Sequence, residues 1–146
     1  MLVSNSMYAS FVKLPKEDAP VPPKIAENSK LYPFFKDCLG AIDGTHIYAC
    51  VPSEDRARFR NRKNVISQNV LAVVNFNMEF MYVLSGWEGS AADGRVLEDA
   101  RSRDFRIPNS KFYLADAGFS ASQHILVPYR GVRYHLREWA AVTNAR

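Results

Sequence analysis

Cys38-Leu39-Gly40-Ala41-Ile42-Asp43-Gly44-Thr45-His46 and Phe112-Tyr113-Leu114-Ala115-Asp116-Ala117-Gly118 share one pattern: a short apolar run, an aspartate, then a glycine. Each reads as a buried strand that carries a carboxylate to its tip and breaks at the glycine. Set side by side, two such strands bring Asp43 and Asp116 together, which is unfavourable unless a divalent cation neutralises them. The local alternative is that both are strand-terminal turn residues, since Asp-Gly is a common turn dipeptide. Paired carboxylates suit phosphodiester chemistry, in which two magnesium ions about 4 Å apart serve the attacking and leaving oxygens. Magnesium takes hard oxygen ligands and keeps several waters, so two or three protein carboxylates suffice.

Between the two motifs, Val65 to Phe76 is rich in β-branched residues and reads as a strand. Asn77-Met78-Glu79 is a tight connection, and Phe80 to Trp87 is the antiparallel return strand. Ser90-Ala91-Ala92-Asp93 has capping-box spacing and opens a helix to about Arg103, with Val96, Leu97 and Ala100 as its apolar stripe. Asp93 reads first as the cap of that helix, with a place near the metal site as the alternative. The first strand spans roughly 38–50, Lys111 to Asp116 is the next strand, and a helical turn near 119–124 leads to a short strand at Ile125 to Val127. Strand, hairpin, helix, strand is neither purely alternating nor all-β, and a mixed sheet with helices packed on it fits best. Residues 1–30 read as an N-terminal arm or linker, because four prolines between Leu14 and Pro23 exclude a helix or central strand there. Residues 31–146 are then the core domain.

The chain has 146 residues, 47% hydrophobic and 23% charged, the balance of one soluble globular domain. No apolar run is long enough to span a bilayer, and the N-terminus has no secretory pattern, so no membrane partner is expected. Cys38 and Cys50 match no familiar zinc spacing, and on one extended segment they would lie about 40 Å apart. Free, buried thiols in an intracellular, reducing compartment follow. A net charge of +4 is a mild basic bias. It is concentrated in two segments. Arg56, Arg58, Arg60 and Arg62 alternate, with Lys63 after them, and would form a cationic edge if extended or spread around a helix. Tyr129-Arg130-Gly131-Val132-Arg133-Tyr134-His135-Leu136-Arg137 interleaves arginines with aromatics. Both patterns can grip phosphates and stack on bases, and both can be solvated surface. His46, His124 and His135 read as hydrogen-bonded structural histidines, with phosphate or metal contact the alternative for His46.

Taken in order, these motifs resemble the PIF/Harbinger family of DDE transposases. Gly40-Ala41-Ile42-Asp43-Gly44-Thr45-His46 is similar to the family's first acidic motif, Tyr82 to Asp93 to its glycine-tryptophan and Ser-Ala-His-Asp stretch, and Tyr113 to Phe119 to its second acidic motif. Arg62 to Val70 and Pro128 to Leu136 resemble the segments after the first and second motifs. The resemblance implies an RNase H-like α/β fold, a mixed sheet with flanking helices, and a Mg²⁺- or Mn²⁺-dependent endonuclease acting on DNA. Asp43 and Asp116 would be the first two catalytic, metal-binding acids, and Arg58, Arg60, Arg62, Lys63, Arg130 and Arg133 the DNA contacts. A Myb-like DNA-binding partner and a nuclear location, or a cytoplasmic one without the partner, are further implications.

The departures define the rest of the expectation. The family's third acid, a glutamate, lies on a helix beyond Arg146, so the core is expected to be incomplete at its C-terminus and truncated at both ends, and inactive alone. Glu138 is too close to the second motif to replace it. Ala92 stands where the family has histidine, and Gly94 where it has serine. An uncovered sheet face would favour self-association. The competing expectation is a catalytically inactive, domesticated module that works by binding DNA or protein.

Overall fold

The computed structural model describes residues 5–129 and 131–132. Two short helices, α1 (Asn5–Phe11) and α2 (Pro23–Ala26), precede strand β1 (Cys38–Tyr48). One helical turn, α3 (Arg56–Phe59), leads to the hairpin β2 (Ser67–Val74) and β3 (Phe80–Glu88). Helix α4 (Asp93–Arg103) then crosses to β4 (Phe112–Ala115) and β5 (Ile125–Leu126). The five strands lie in the order β3-β2-β1-β4-β5. β1 pairs antiparallel with β2 and parallel with β4, β2 pairs antiparallel with β3, and β4 parallel with β5. This is the mixed α/β sheet of an RNase H-like fold.

Local chemistry explains the order. Asn75 closes the hairpin: its Oδ1 accepts from the Asn77 and Glu79 N–H groups at 2.9 and 3.0 Å, while Met78 takes the left-handed conformation (φ 65°). After β3 the helical stripe of Val96, Leu97 and Ala100 is buried as α4 packs on β2 and β3. A parallel partner needs such a crossover, and it delivers β4 to the far side of β1. Ile42, Leu71, Val73, Val96, Phe105, Tyr113, Phe119 and Ile125 form the centre of one core. Within it Phe105 lies between Tyr82 and Tyr113, with ring centroids 4.9 and 5.9 Å apart.

The N-terminal residues are tied to the sheet. Ile25 is buried, the Lys24 ammonium donates to the Phe76 carbonyl at 2.6 Å, and Glu17 accepts from the Asn109 and Ser110 N–H groups. The Tyr8 hydroxyl accepts from the Val83 N–H at 3.1 Å and donates to the Val83 carbonyl at 3.3 Å, on the outer strand β3. Both cysteines are free thiols, but only Cys38 is buried as expected: Cys50 lies past the end of β1 and is exposed. No helix among the described residues is long and apolar enough to cross a membrane.

Three expectations need correction. β1 does not break at Gly44. It continues through Tyr48 because β2 stays in register with it as far as Ser67, although burial falls off sharply from Asp43 onward. No capping box forms at Ser90–Asp93. Ala92 is the N-cap and no side chain caps the helix, because buried Asn69 on β2 takes the Asp93 carboxylate instead. The alternating arginines are neither one edge nor one helix: α3 holds Arg56 and Arg58, and Arg60 sits in an isolated bridge to Ile66. The third-acid helix, Glu138, His135, Arg130 and Arg133 lie outside the described residues.

Candidate active site

Ile42 and Ala115 are partners across the parallel β1–β4 pair, so Asp43 and Asp116 follow in step on neighbouring chains. Both are exposed. Asp43 Oδ1 accepts from the Gly44 N–H at 2.8 Å, and Asp116 Oδ1 from the Gly118 N–H at 2.8 Å. These bonds aim each carboxylate and leave its second oxygen for a ligand. The Asp43 carboxyl is pushed above its ordinary range, first by partial burial and then by the negative charges of Asp116 and Asp93, with the Gly44 N–H opposing. Asp43 therefore sits in the field of two other acids, an arrangement that a cation relieves.

Asp93 reaches this neighbourhood from above. Asn69 is 1% exposed, and its Nδ2 donates to Asp93 Oδ1 at 2.7 Å and to the Ala91 carbonyl at 3.0 Å. Gly44 makes the approach possible, since a Cβ there would lie 2.0 Å from Asp93 Oδ1. That glycine is needed for clearance, not for a turn. Asn69 was missed in the sequence. Its signal was a carboxamide in the middle of an apolar strand, where an unpaired amide is costly and a specific partner is the rule.

A second polar chain runs beside the first. Asn61 Oδ1 accepts from the Lys63 and Val65 N–H groups at 2.9 and 3.0 Å and so shapes the 61–65 loop. Asn61 Nδ2 donates to Ser67 Oγ at 3.1 Å, and Ser67 Oγ lies 3.2 Å from His46 Nδ1. His46 is thus hydrogen-bonded, as read from the sequence, and so is His124, whose Nδ1 lies 3.0 Å from the Lys111 carbonyl. The basic segment divides. Arg58 makes ion pairs with Asp55 and Glu88, and the Arg60 guanidinium donates to the Asn64 carbonyl. The Arg62 and Lys63 side chains are exposed and make no hydrogen bond or ion pair within the described residues. They line a cavity of about 240 Å³ with His46, Asn61 and the 89–93 segment.

Among the described residues, no three His, Cys, Asp or Glu side chains converge on one point where a cation could be held. Asp43 and Asp116 still fit a divalent ion: they are hard, exposed oxygen donors, mutually repelling and aimed by backbone N–H groups, and magnesium fills its remaining positions with water.

The family model for DDE superfamily endonuclease matches residues 42–145. "Protein ALP1-like" of Arabidopsis thaliana is 31% identical over 114 residues, covering 65% of this chain and 28% of the relative. "Putative nuclease HARBI1" of Rattus norvegicus is 30% identical over 93 residues, covering 62% of this chain and 27% of the relative. The chain thus spans under a third of the length of these curated relatives. No solved structure matches it significantly. DDE superfamily endonucleases are divalent-metal dependent, and the Harbinger-type motifs around Asp43 and Asp116 lie within or across the start of the matched region. By fold, motif order and family match, the chain belongs to the DDE superfamily endonucleases.

Proposed function

We propose that this chain carries two of the three acids of a transposase-derived, metal-dependent DNA endonuclease. The observation that carries the reading is the parallel pairing that sets Asp43 beside Asp116. The two carboxylates would hold Mg²⁺ or Mn²⁺, which when bound supplies Lewis-acid activation of a phosphate oxygen and of the attacking water. Gly44 and Gly118 orient the acids through their N–H groups. The cationic residues after β1 hold the DNA backbone: Arg62 and Lys63 with free charges, Arg58 and Arg60 with charges partly taken by neighbours. Arg130 and Arg133 extend that surface by the resemblance alone. The third acid is a glutamate from beyond the Tyr-Arg-Gly-Val-Arg segment. A Myb-like DNA-binding partner, self-association and a nuclear location belong to the same proposal.

The absence of a third converging acid among the described residues favours a second reading, an inactive module that binds DNA or protein. Long incubation of supercoiled plasmid with Mn²⁺ separates the two. Slow, Mn²⁺-dependent nicking that disappears in Asp116→Asn is expected if the acids act in catalysis. Equal traces of nicking in wild type and Asp116→Asn would return the chain to the binding module.

A further inference from the structure

The cavity lined by Asp93 has a composition of its own. One wall is the 61–63 loop, with Arg62 and Lys63, and the other is the 89–93 segment leading into α4. Gly89 packs closely on the backbone at both ends of the 60–66 segment: a Cβ there would lie 2.5 Å from the Phe59 and Ser67 carbonyl oxygens. The floor is His46. Ser67 is buried and already accepts from Asn61, so its one hydroxyl proton needs an acceptor, and His46 Nδ1 is the partner within reach. The imidazole proton then sits on Nε2, and the ring offers an N–H donor to a ligand. Asp93 lines the same cavity, and its Oδ1 accepts from Asn69 beside Gly44. No side chain caps α4, so its first N–H groups add partial positive charge at this end.

Two cations unpaired among the described residues and an imidazole N–H around a small polar cavity describe an anion site. Its volume, about 240 Å³, is below the range of about 300–1,000 Å³ typical of pockets that enclose a whole small molecule. A single tetrahedral anion on a longer polymer suits it better than a free nucleotide. His46 lies three residues past Asp43 on β1, about 10 Å away at about 3.3 Å per residue.

We propose that this cavity is a phosphate subsite that takes a backbone phosphodiester of a DNA strand outside the acid pair. Arg62 and Lys63 neutralise the phosphate and His46 Nε2 donates to it. The proposal rests on the nuclease reading only for the identity of the polymer. Binding of a short duplex is followed by fluorescence anisotropy in EDTA across a salt series, so that no metal chemistry enters. Arg62→Gln/Lys63→Gln is compared with a charge-matched control, Lys16→Gln/Lys36→Gln. The subsite variant should bind about tenfold or more weakly than the control and lose about 1 to 2 from the slope of log K against log salt, given about 0.9 per phosphate contact. Affinity and slope equal to the control would overturn the proposal. Inorganic phosphate, exchanged for chloride at constant ionic strength, should not displace the duplex. Displacement from wild type but not from the variant would reassign the cavity to free phosphate and overturn it as well. A changed slope without any metal response at Asp43 and Asp116 would sink the nuclease reading alone, and the reverse would sink the subsite alone.

Discussion

Replacing Asp116 by Asn should stabilise the metal-free protein and destabilise it, relative to wild type, once metal is added. Neighbouring strands lie about 4.8 Å apart, so the two carboxylates can approach to about 5 Å. Two like charges at that distance repel by about 1 kcal/mol in a water-like medium and about 3 kcal/mol at an effective dielectric of 20. Asp43 and Asp116 are exposed, so the lower value applies. Asparagine keeps the Oδ1 that accepts from Gly118, and the turn survives. Asp116→Asn in EDTA should therefore raise Tm by about 3 °C, using about 3 °C per kcal/mol for a chain of this length. In wild type, Mg²⁺ or Mn²⁺ at about 100 times its Kd adds about 2.7 kcal/mol, or about 8 °C. The variant should miss most of that gain, so the two melting curves exchange order as metal is titrated in a differential scanning experiment. The pH dependence follows with a definite sign. The Asp43 pKa is raised in the folded protein, so the folded state binds more protons than the unfolded state between its ordinary value of 3.8 and the raised one. Metal-free stability therefore falls as pH rises through that window, and the fall should be shallower in Asp116→Asn, which removes one of the two repelling charges. A variant no more stable than wild type in EDTA, or two proteins with the same metal response, would refute the pairing of these acids.

Two further outcomes follow from clearances and burial. Gly89→Ala sets a methyl against two carbonyl oxygens and the Ser67 hydroxyl, so it should cost about 1–3 kcal/mol in chemical denaturation despite the favourable effect of alanine on the unfolded chain. The same variant should weaken duplex binding by displacing the 89–93 wall. In the native protein a thiol reagent should modify Cys50 rapidly and Cys38 only after denaturation, because burial both shields the Cys38 thiol and pushes its pKa up. Two fast-reacting thiols under native conditions would contradict the buried placement.

The elements with strong periodicity were legible in the chain. Val65 to Phe76, the Asn77-Met78-Glu79 connection and the stripe Val96, Leu97, Ala100 each satisfy a local rule, and local rules decide them. What failed was decided by partners far away in sequence. Asp93 stands at a capping position, yet Asn69, 24 residues earlier, takes its carboxylate. Gly44 has the look of a strand breaker, yet its pairing with Leu71 holds it extended and its missing side chain admits Asp93. The alternating arginines carried no signal of which would be spent on Asp55, Glu88 or Asn64. The adjacency of Asp43 and Asp116 was anticipated from the acid-at-strand-end pattern, but the sheet order that delivers it depends on α4 carrying the chain past β2 and β1.

The Tyr8 hydroxyl bears on a different problem, how the sheet ends. β3 is an outer strand, and its outward N–H and carbonyl groups are a template on which another chain could continue the ladder. At Val83 a single phenol occupies both positions, donor and acceptor, as the backbone of an added strand would. An incoming strand would have to evict it before pairing along the middle of β3. Among the described residues, Tyr8 of α1 therefore blocks the middle of this edge against pairing with another strand.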